Sequence, residues 1–331
     1  MHLVEPMARS FFAIAILAAV SASAQTYSIR DLGVLGGTYS QANGIGGWGQ
    51  IVGVSETGEN EYHAFLYSGR TMTDLGTFGG VQSAATAINS NSQVTGFYYD
   101  HGYKAFLLTD GQVIDLGNLG ATYSIGYAIN DLGQVVGSSI TTAKHEHAFL
   151  FTDGQMIDLG TLGGTMSTAL GINSSSQITG YSYDADWNFR AFLWQNGTMT
   201  DLGTLGGDWS VGNAINSAGQ IVGQAYLPGN VRAHAFLYSG GEMKDLGALG
   251  GFYSSALAVN STATEIVGYA TGGSGIPRAF IYRDGAMKDL NGLIPRGGWV
   301  LNTASGIDDT GQIVGYGLYR GEQHAFLLTP K

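Results

Sequence analysis

An internal repeat constrains the fold of this chain more than any other feature of its sequence. The triplet Asp-Leu-Gly returns at nearly even spacing and reads Asp-Leu-Asn in its last copy. Taking its aspartate as the first residue of each copy gives seven repeats: 31–73, 74–114, 115–157, 158–200, 201–244, 245–288 and 289–331. A period of about 40–45 residues is typical of arrays in which every copy is one supersecondary unit packed on its neighbours. The repeats leave no linker, so residues 25–331 are predicted to form a single domain.

Each repeat carries the pattern of four short β-strands. In repeat 201–244 the segments read SVGNAI, QIVGQA, HAFLY and EMKDLG, and the turn sequences NSAG and SGG follow the first and the third. No segment keeps a helical period long enough for a helix. Four strands at this period are the sequence signature of one propeller blade. The chain is therefore predicted to be an all-β, seven-bladed β-propeller of four-stranded blades.

The two ends of the repeat array complement each other. Segment 27–32, YSIRDL, has the pattern of a fourth strand without a third strand before it. Segment 324–328, HAFLL, has the pattern of a third strand without a fourth strand after it. Pairing the two segments would complete the last blade and remove two exposed strand edges. We therefore expect a closed ring rather than an open solenoid, which would need polar capping repeats.

Three strings, HAF, INxxGQIVG and DLGxLGG, recur in register over residues 31–331. On these strings the chain resembles the HAF family of probable extracellular repeats. The HAF triplets stand at 63–65, 147–149, 234–236 and 324–326, whereas the second, fourth and sixth repeats depart from the family with KAF, RAF and RAF. The resemblance implies an extracellular repeat protein. It implies no catalytic motif, since the family is defined by its repeat and not by a known activity.

The first residues of the chain have the pattern of a secretory signal peptide. Arg9 precedes the apolar run 11–20, and the small residues 22–24 come directly before Gln25. We expect a signal peptide over residues 1–24, cleavage near Ala24–Gln25, and a secreted or periplasmic protein. No second apolar run follows, so no membrane insertion of the mature chain is expected, and the chain has no cysteine for disulfides.

The charge balance narrows the class of partner. The chain has 14 Lys and Arg against 25 Asp and Glu, a net charge of −11. Binding to nucleic acid or to an anionic membrane surface needs clustered basic residues, so neither partner is expected. The predicted partner is a glycan, a polysaccharide or an extracellular protein, and the predicted oligomeric state is a monomer.

The residue before Ala-Phe is basic in every repeat and invites two interpretations. It is His63, Lys104, His147, Arg190, His234, Arg278 and His324 in turn. A metal or catalytic role would require imidazole, because Lys and Arg cannot act as neutral nitrogen ligands. A hydrogen-bond donor that faces the aspartate of the Asp-Leu triplet survives all these substitutions. The sequence therefore favours a structural pair over a ring of active chemistry.

A recurring asparagine raises the same question. It is Asn89, Asn130, Asn173, Asn216 and Asn260, with Gly46 and Asp308 at the matching positions of the other two repeats. A ring of side-chain oxygens around a channel could hold Ca²⁺. The favoured interpretation is that each asparagine opens a tight turn, as Asn is preferred at the first turn position. No cofactor and no metal site is predicted, with Ca²⁺ left as an alternative.

Variable loops rich in aromatic residues indicate where a ligand could bind. In a four-stranded blade, the loops from second to third strand and from blade to blade lie on one face, and here these two sets vary in length. The candidate ligand-binding residues in and beside them are Tyr39, Tyr123, Tyr183, Trp187, Trp209 and Tyr253. Such rings stack on sugars and anchor protein contacts. Some of these rings are expected to pack between blades instead.

Two functions remain open on these observations. The first is an exported scaffold that binds polysaccharide or protein through this aromatic loop face. The alternative is a secreted hydrolase, lactonase- or glycosidase-like and possibly dependent on a divalent cation, with its site at the channel mouth; it rests on fold analogy. No catalytic residue is predicted, and the acidic and histidine residues outside the repeat pattern are Asp184, Asp186, Asp208, His101 and His145.

Overall fold

The computed structural model describes residues 25–331, and the predicted signal peptide lies outside the described residues. The described chain consists of β-strands and turns, with single-turn 3-10 helices at Gly47–Gly49 and Leu290–Gly292. The all-β prediction is confirmed. Within this range no helix has the length and apolar character needed to cross a bilayer.

The strands form five four-stranded sheets and one eight-stranded sheet. The first two four-stranded sheets are β6 (Gln82–Ile88), β7 (Val94–Tyr99), β8 (Tyr103–Thr109) and β9 (Gln112–Asp115), and then β10 (Gly120–Ile129), β11 (Val135–Thr141), β12 (Glu146–Thr152) and β13 (Gln155–Asp158). The next two are β14 (Gly163–Ile172), β15 (Ile178–Asp184), β16 (Phe189–Gln195) and β17 (Thr198–Asp201), and then β18 (Ser210–Ile215), β19 (Ile221–Tyr226), β20 (Ala233–Ser239) and β21 (Glu242–Asp245). The fifth is β22 (Ser254–Val259), β23 (Ile266–Thr271), β24 (Pro277–Arg283) and β25 (Ala286–Asp289). Each is an antiparallel meander in chain order.

The eight-stranded sheet combines strands from both ends of the chain. Its strands are β1 (Tyr27–Asp31), β2 (Gly36–Ile45), β3 (Ile51–Thr57), β4 (Tyr62–Ser68), β5 (Thr71–Gly76), β26 (Trp299–Ile307), β27 (Ile313–Tyr319) and β28 (Glu322–Pro330). β1 pairs antiparallel with β28, with Tyr27 opposite Pro330 and Asp31 opposite Phe326. β2–β5 form a second meander, which a single parallel bridge joins to β28.

A glycine in each second strand allows the first strand to approach closely. A Cβ on Gly223 of β19 would lie 1.9 Å from the carbonyl oxygen of Val211 and 2.9 Å from the Phe236 ring. The first strand has a register irregularity at this place, between Gly212 and Ala214. Only glycine fits between the carbonyl and the ring, which explains the last glycine of the GQIVG string.

The apolar cores lie between consecutive sheets. Val136 and Leu150 of one sheet pack with Ile178 and Phe192 of the next. The phenylalanines of the HAF-type triplets are fully buried in such cores: Phe65, Phe106, Phe149, Phe192, Phe236, Phe280 and Phe326. Complete burial of one such side chain stabilises the fold by about 1.5–3 kcal/mol. A core of the same kind joins Val314 and Leu327 to Phe65, and therefore the last strands to the first meander.

A buried serine in the first strand forms a link to the preceding third strand at six junctions between repeats. Ser167 Oγ accepts a hydrogen bond from the Ala148 N–H at 2.8 Å and donates to the Gly160 carbonyl at 2.6 Å. The same two hydrogen bonds are made by Ser40, Ser83, Ser124, Ser210 and Ser254. Ser40 accepts from Ala325, so this link also connects the last strand to the first meander.

Candidate functional site

The basic residue of the HAF-type triplet and the aspartate of the Asp-Leu triplet lie on neighbouring strands. His147 Nδ1 lies 2.9 Å from both carboxylate oxygens of Asp158. The pairs His63–Asp74, His234–Asp245 and His324–Asp31 have matching geometry, and Arg278 donates to Asp289 at 2.8 Å. In these five repeats the predicted donor–carboxylate pair is confirmed. The pairs tie the third strand to the fourth.

Two repeats use the basic residue differently. Lys104 donates to Asp100 at 2.7 Å, and Arg190 Nε donates to Asp184 at 3.1 Å while lying 3.8 Å from Asp201. Both new partners lie at the loop between the second and third strands. The longer side chains reach these carboxylates, so the uniform pairing predicted for all repeats is wrong for Lys104 and incomplete for Arg190.

The recurring asparagines make turns and also connect repeats. Asn89 Oδ1 accepts from the N–H groups of Asn91 and Gln93 at 3.0 and 2.9 Å, so the predicted turn is confirmed. Its Nδ2 donates to the Asn130 carbonyl of the next repeat at 2.9 Å. Asn130, Asn173 and Asn216 donate to the following repeat in the same way. This second role was not predicted, and it depends on an amide group that aspartate and glycine lack.

Loops of two kinds meet at one end of the sheets. The isolated bridges Leu35–Thr57 and Leu162–Asp184 hold the segment before a first strand against the end of the second strand. We call this end the loop face. The opposite end, which carries the turns from first to second strand such as 89–92 and 216–219, is the turn face.

All six predicted ligand-binding residues lie at the loop face, in separate aromatic groups. Tyr39 packs edge-on against Tyr62, with ring centroids 5.5 Å apart, and Tyr123 packs against Tyr103 at 5.9 Å. Tyr183 contacts Trp187 at 5.8 Å. Trp187 is 65% exposed and Tyr253 is 44% exposed, whereas Tyr39, Tyr123, Tyr183 and Trp209 are partly buried.

Trp209 and Tyr253 line one pocket of about 370 Å³ at the junction of two sheets. Its other aromatic side chains are Tyr226, whose ring centroid lies 5.4 Å from that of Trp209, and Tyr269. Burial raises the pKa of Tyr269, so its hydroxyl stays protonated and can donate a hydrogen bond. No charged side chain is among the described residues that line this pocket. The aromatic side chains of this pocket can therefore stack on an uncharged ring of a ligand, and their polar groups can bind its hydroxyls.

Asp184 organises the loop that carries Trp187. Burial acts to raise the pKa of Asp184, but hydrogen bonds from Asn188 and Arg190 outweigh it and lower the pKa to about 2. Its Oδ1 accepts from the N–H groups of Asp186 and Asn188, both at 2.9 Å, and its Oδ2 accepts from Arg190. Both oxygens are occupied within the loop. The carboxylate is thus suited to hold the loop in place and poorly suited to give or take a proton.

The remaining acidic and histidine candidates are dispersed. Asp208 accepts from Asn230 Nδ2 at 2.7 Å, and the exposed His101 lies 2.7 Å from Asp100. The His145 ring faces His147 at 6.4 Å. Residues 25–331 contain no group of three or more His, Asp or Glu side chains placed to hold a metal ion.

A second cavity, of about 490 Å³, opens on the turn face and is lined by the ends of first strands and by the turns that follow them. Its apolar lining is Ile45, Ile88, Ile129, Ile172, Ile215, Val259 and Ile307. Trp48 stands at this mouth with 94% of its surface exposed. None of the ligand-binding residues predicted from the sequence lies on the turn face, and Trp48 was missed. The signal was the turn GGWG at 46–49, which departs from the Asn-initiated turns of the other repeats.

Comparison with known proteins identifies the fold and leaves the family open. No family model matches the chain, and no curated protein matches it. Among solved structures, a puromycin-hydrolyzing peptidase of Mycobacterium tuberculosis is similar with a TM-score of 0.55 and 13% identity, over 89% of this chain and 49% of that one. The β-propeller domain of the Trilobed protease from Pyrococcus furiosus, which has an open velcro topology, is also similar. Its TM-score is 0.50 and its identity 11%, over 73% of this chain and 77% of that one.

TolB from Acinetobacter baumannii is similar with a TM-score of 0.49 and 10% identity, over 85% of this chain and 63% of that one. The chain thus spans about half the length of the peptidase and less than two thirds of TolB. Identities this low carry information on fold alone. Together with the antiparallel four-stranded sheets, the likeness to the β-propeller domain of the Trilobed protease shows that the chain has a β-propeller fold.

Proposed function

We propose that this chain is an exported HAF-repeat protein that binds a neutral polysaccharide through the loop face of a closed, seven-bladed ring. The observation that carries the binding proposal is the pocket of Trp209, Tyr226, Tyr253 and Tyr269. Large aromatic faces stack on the apolar faces of sugar rings, and their polar edges bind hydroxyl groups.

Two contacts support the closed ring. The antiparallel pairing of β1 with β28 supplies a fourth strand to β26–β28. Ser305 Oγ of β26 donates to the Ala42 carbonyl of β2 at 2.6 Å, as Asn43 and Thr86 donate to the first strand that follows theirs. Pairing of the ends removes the exposed edges that an open array would carry.

The composition of the pocket favours a neutral glycan over an anionic polymer. Its described lining has no Lys or Arg, and the whole chain has a net charge of −11. An anionic ligand would meet repulsion there without a compensating contact. A neutral sugar loses little on entering, because tyrosine hydroxyls and the Gln224 side chain can replace part of its hydration.

The hydrolase alternative has less support from the arrangement of side chains. Hydrolysis needs a proton donor or a nucleophile beside the ligand. Asp184 is bound within its own loop, which also carries Asp186, and Asp208, His101 and His145 lie in three other loops. We therefore assign binding rather than turnover to the loop face.

The test is binding of the chain 25–331 to glycan arrays and to insoluble neutral polysaccharides. Trp209→Ala and Tyr253→Ala are each expected to weaken binding by about 1–3 kcal/mol, the usual scale for an aromatic anchor. Phe252→Ala is the matched control, since Phe252 is an exposed neighbour of Tyr253 that lies outside the pocket. A polysaccharide that binds all three variants as tightly as the unmodified chain would rule out this pocket.

A further inference from the structure

The turn-face cavity differs chemically from the loop-face pocket. Three carboxylates, Asp131, Asp308 and Asp309, are part of its lining, and no basic residue belongs to its described lining. None of the three forms an ion pair with a basic side chain of residues 25–331. The mouth is therefore negatively charged, above a throat of isoleucine side chains.

Two of the carboxylates at this mouth are held in place by neighbouring turns. Asp131 accepts from the Ser90 N–H at 2.8 Å and from its hydroxyl at 3.1 Å. Asp309 accepts from the Ser261 N–H at 2.8 Å through one oxygen. Their charge is thus fixed at the rim of the cavity. A preorganised carboxylate binds a cation without a further loss of side-chain entropy.

Trp48 is placed at the same rim by a turn unlike the others. Its backbone lies in the left-handed region, with φ 64° and ψ 15°, and Gly49 after it also has a positive φ of 68°. Gly47 packs against Ser90, the residue whose N–H binds Asp131, and Trp48 and Asp131 line the same cavity. A tryptophan at a left-handed backbone position, with its ring almost fully exposed, buries little apolar surface there. It is suited to contact a ligand.

We propose that the turn-face mouth binds an organic cation, an ammonium or guanidinium head group on an apolar stem. The head lies between the Trp48 ring and the carboxylates of Asp131 and Asp309. A tryptophan face attracts cations through its quadrupole, and the carboxylates add charge complementarity. The stem enters the isoleucine throat. The cation comes either as a free small amine or as a Lys or Arg side chain of a protein partner.

The first experiment uses hexyltrimethylammonium as the probe and calorimetry or tryptophan fluorescence as the readout. Hexanol is the uncharged comparison and should bind at least about tenfold more weakly, since it lacks the cation–π and charge contacts. Affinity should fall as salt is raised, because exposed charges are screened. A peptide with a single lysine, acetylated and amidated at its ends, separates the two sources. If the peptide binds more tightly than hexyltrimethylammonium, the natural ligand is a side chain of a protein partner. If the peptide binds more weakly, the natural ligand is a free amine.

The second experiment compares variants of the chain 25–331. Trp48→Ala should weaken binding of the probe about tenfold, and Trp48→Phe should weaken it less. Asp131→Asn with Asp309→Asn keeps the hydrogen bonds to the turns and should remove most of the salt dependence. Leu132→Ala is the matched control, since Leu132 holds the same turn position in another repeat, is exposed and lies outside the cavity. Trp48→Gly relieves the left-handed backbone conformation, so we expect this second variant to keep the fold.

Two results would overturn the proposal. One is equal affinity for hexanol and for the cation. The other is unchanged binding of the cation to both Trp48→Ala and Trp48→Gly when their melting curves match that of the unmodified chain. Either result leaves the loop-face proposal intact, because the two sites share no residue.

Discussion

At the scale of single residues, the aspartate of each Asp-Leu triplet has two partners. Asp158 pairs with His147 and also accepts from the Gly160 N–H at 2.8 Å, so it stabilises the turn after the fourth strand. The sequence predicted the first contact from the constant basic residue. It could not predict that Lys104 and Arg190 turn to loop carboxylates, because that depends on side-chain reach and on Asp100 and Asp184.

Asp158→Ala is expected to destabilise the fold by about 1 kcal/mol in urea unfolding, below the usual cost of breaking a buried polar pair. The reason is that the Asp158 side chain is 41% exposed, although that of His147 is only 19% exposed. Asp186→Ala, in an exposed loop, serves as the control and should change the unfolding free energy little. A loss of several kcal/mol for Asp158→Ala, or a loss of ligand binding with unchanged unfolding, would contradict the structural role.

Asp184 makes a pH-dependent contribution to stability. Its pKa is about 2 in the folded chain against an ordinary value of 3.8, so at intermediate pH the unfolded chain binds more protons. Its contribution is complete above about pH 4 and is lost as the pH falls toward 2. Urea unfolding between about pH 5 and pH 2 should show a shallower decline for Asp184→Asn than for the unmodified chain. Equal slopes for the two, with Asp186→Asn as the control, would contradict this assignment.

At the scale of elements, the serine links explain why the last triplet of the sequence reads Asp-Leu-Asn instead of Asp-Leu-Gly. The serine link is missing where β24 and β25 meet β26, and there the triplet reads Asp-Leu-Asn. The Asn291 side chain accepts from the Leu301 N–H at 2.7 Å and donates to the Leu301 carbonyl at 3.0 Å. One asparagine thus replaces the serine in joining two sheets, which accounts for its place in the last triplet.

Ser167→Ala should destabilise the fold by about 2–3 kcal/mol, because it leaves the buried Ala148 N–H and the Gly160 carbonyl without their partner. The measurement is the free energy of urea unfolding. Ser175→Ala, at an exposed turn position of the same repeat, is the matched control and should cost little, since its backbone N–H keeps the bond to Asn173. Equal stability of the two variants would show that the serine link adds nothing.

The strands were predictable and the exposure of individual rings was not. SVGNAI corresponds to β18 and QIVGQA covers most of β19, since residue pattern and turn residues determine strands locally. Burial depends on neighbours from other repeats: Tyr98 is buried and Tyr62 is exposed, although both lie beside a loop from second to third strand. The exposed Trp48 was missed for a related reason. The predictions rested on residues that the repeats share, and the turn GGWG at 46–49 departs from that shared pattern.

At the scale of the whole molecule, the proposed ring depends on the junction between the last strands and the first meander. The asparagine series that connects consecutive repeats does not extend through this junction, because Gly46 has no side chain and the Asp308 carboxylate cannot donate. Other contacts must hold the junction. They are the strand pair β1–β28, the His324–Asp31 pair and the core of Leu32 with Val314 and Phe65.

Removal of residues 25–33 should therefore damage the whole ring rather than one edge. The truncation deletes β1, leaves His324 without Asp31, removes the buried Tyr27 and Leu32, and exposes the β28 edge to pairing with other chains. We expect a lower melting temperature, loss of a single cooperative transition and a tendency to aggregate. Ser28→Ala, an exposed position on the same strand, is the control and should melt like the unmodified chain.

A synthetic peptide of residues 25–33 should restore part of the stability by pairing with β28. A truncated chain that melts cooperatively at the original temperature in the absence of the peptide would show that the ring is not closed through β1.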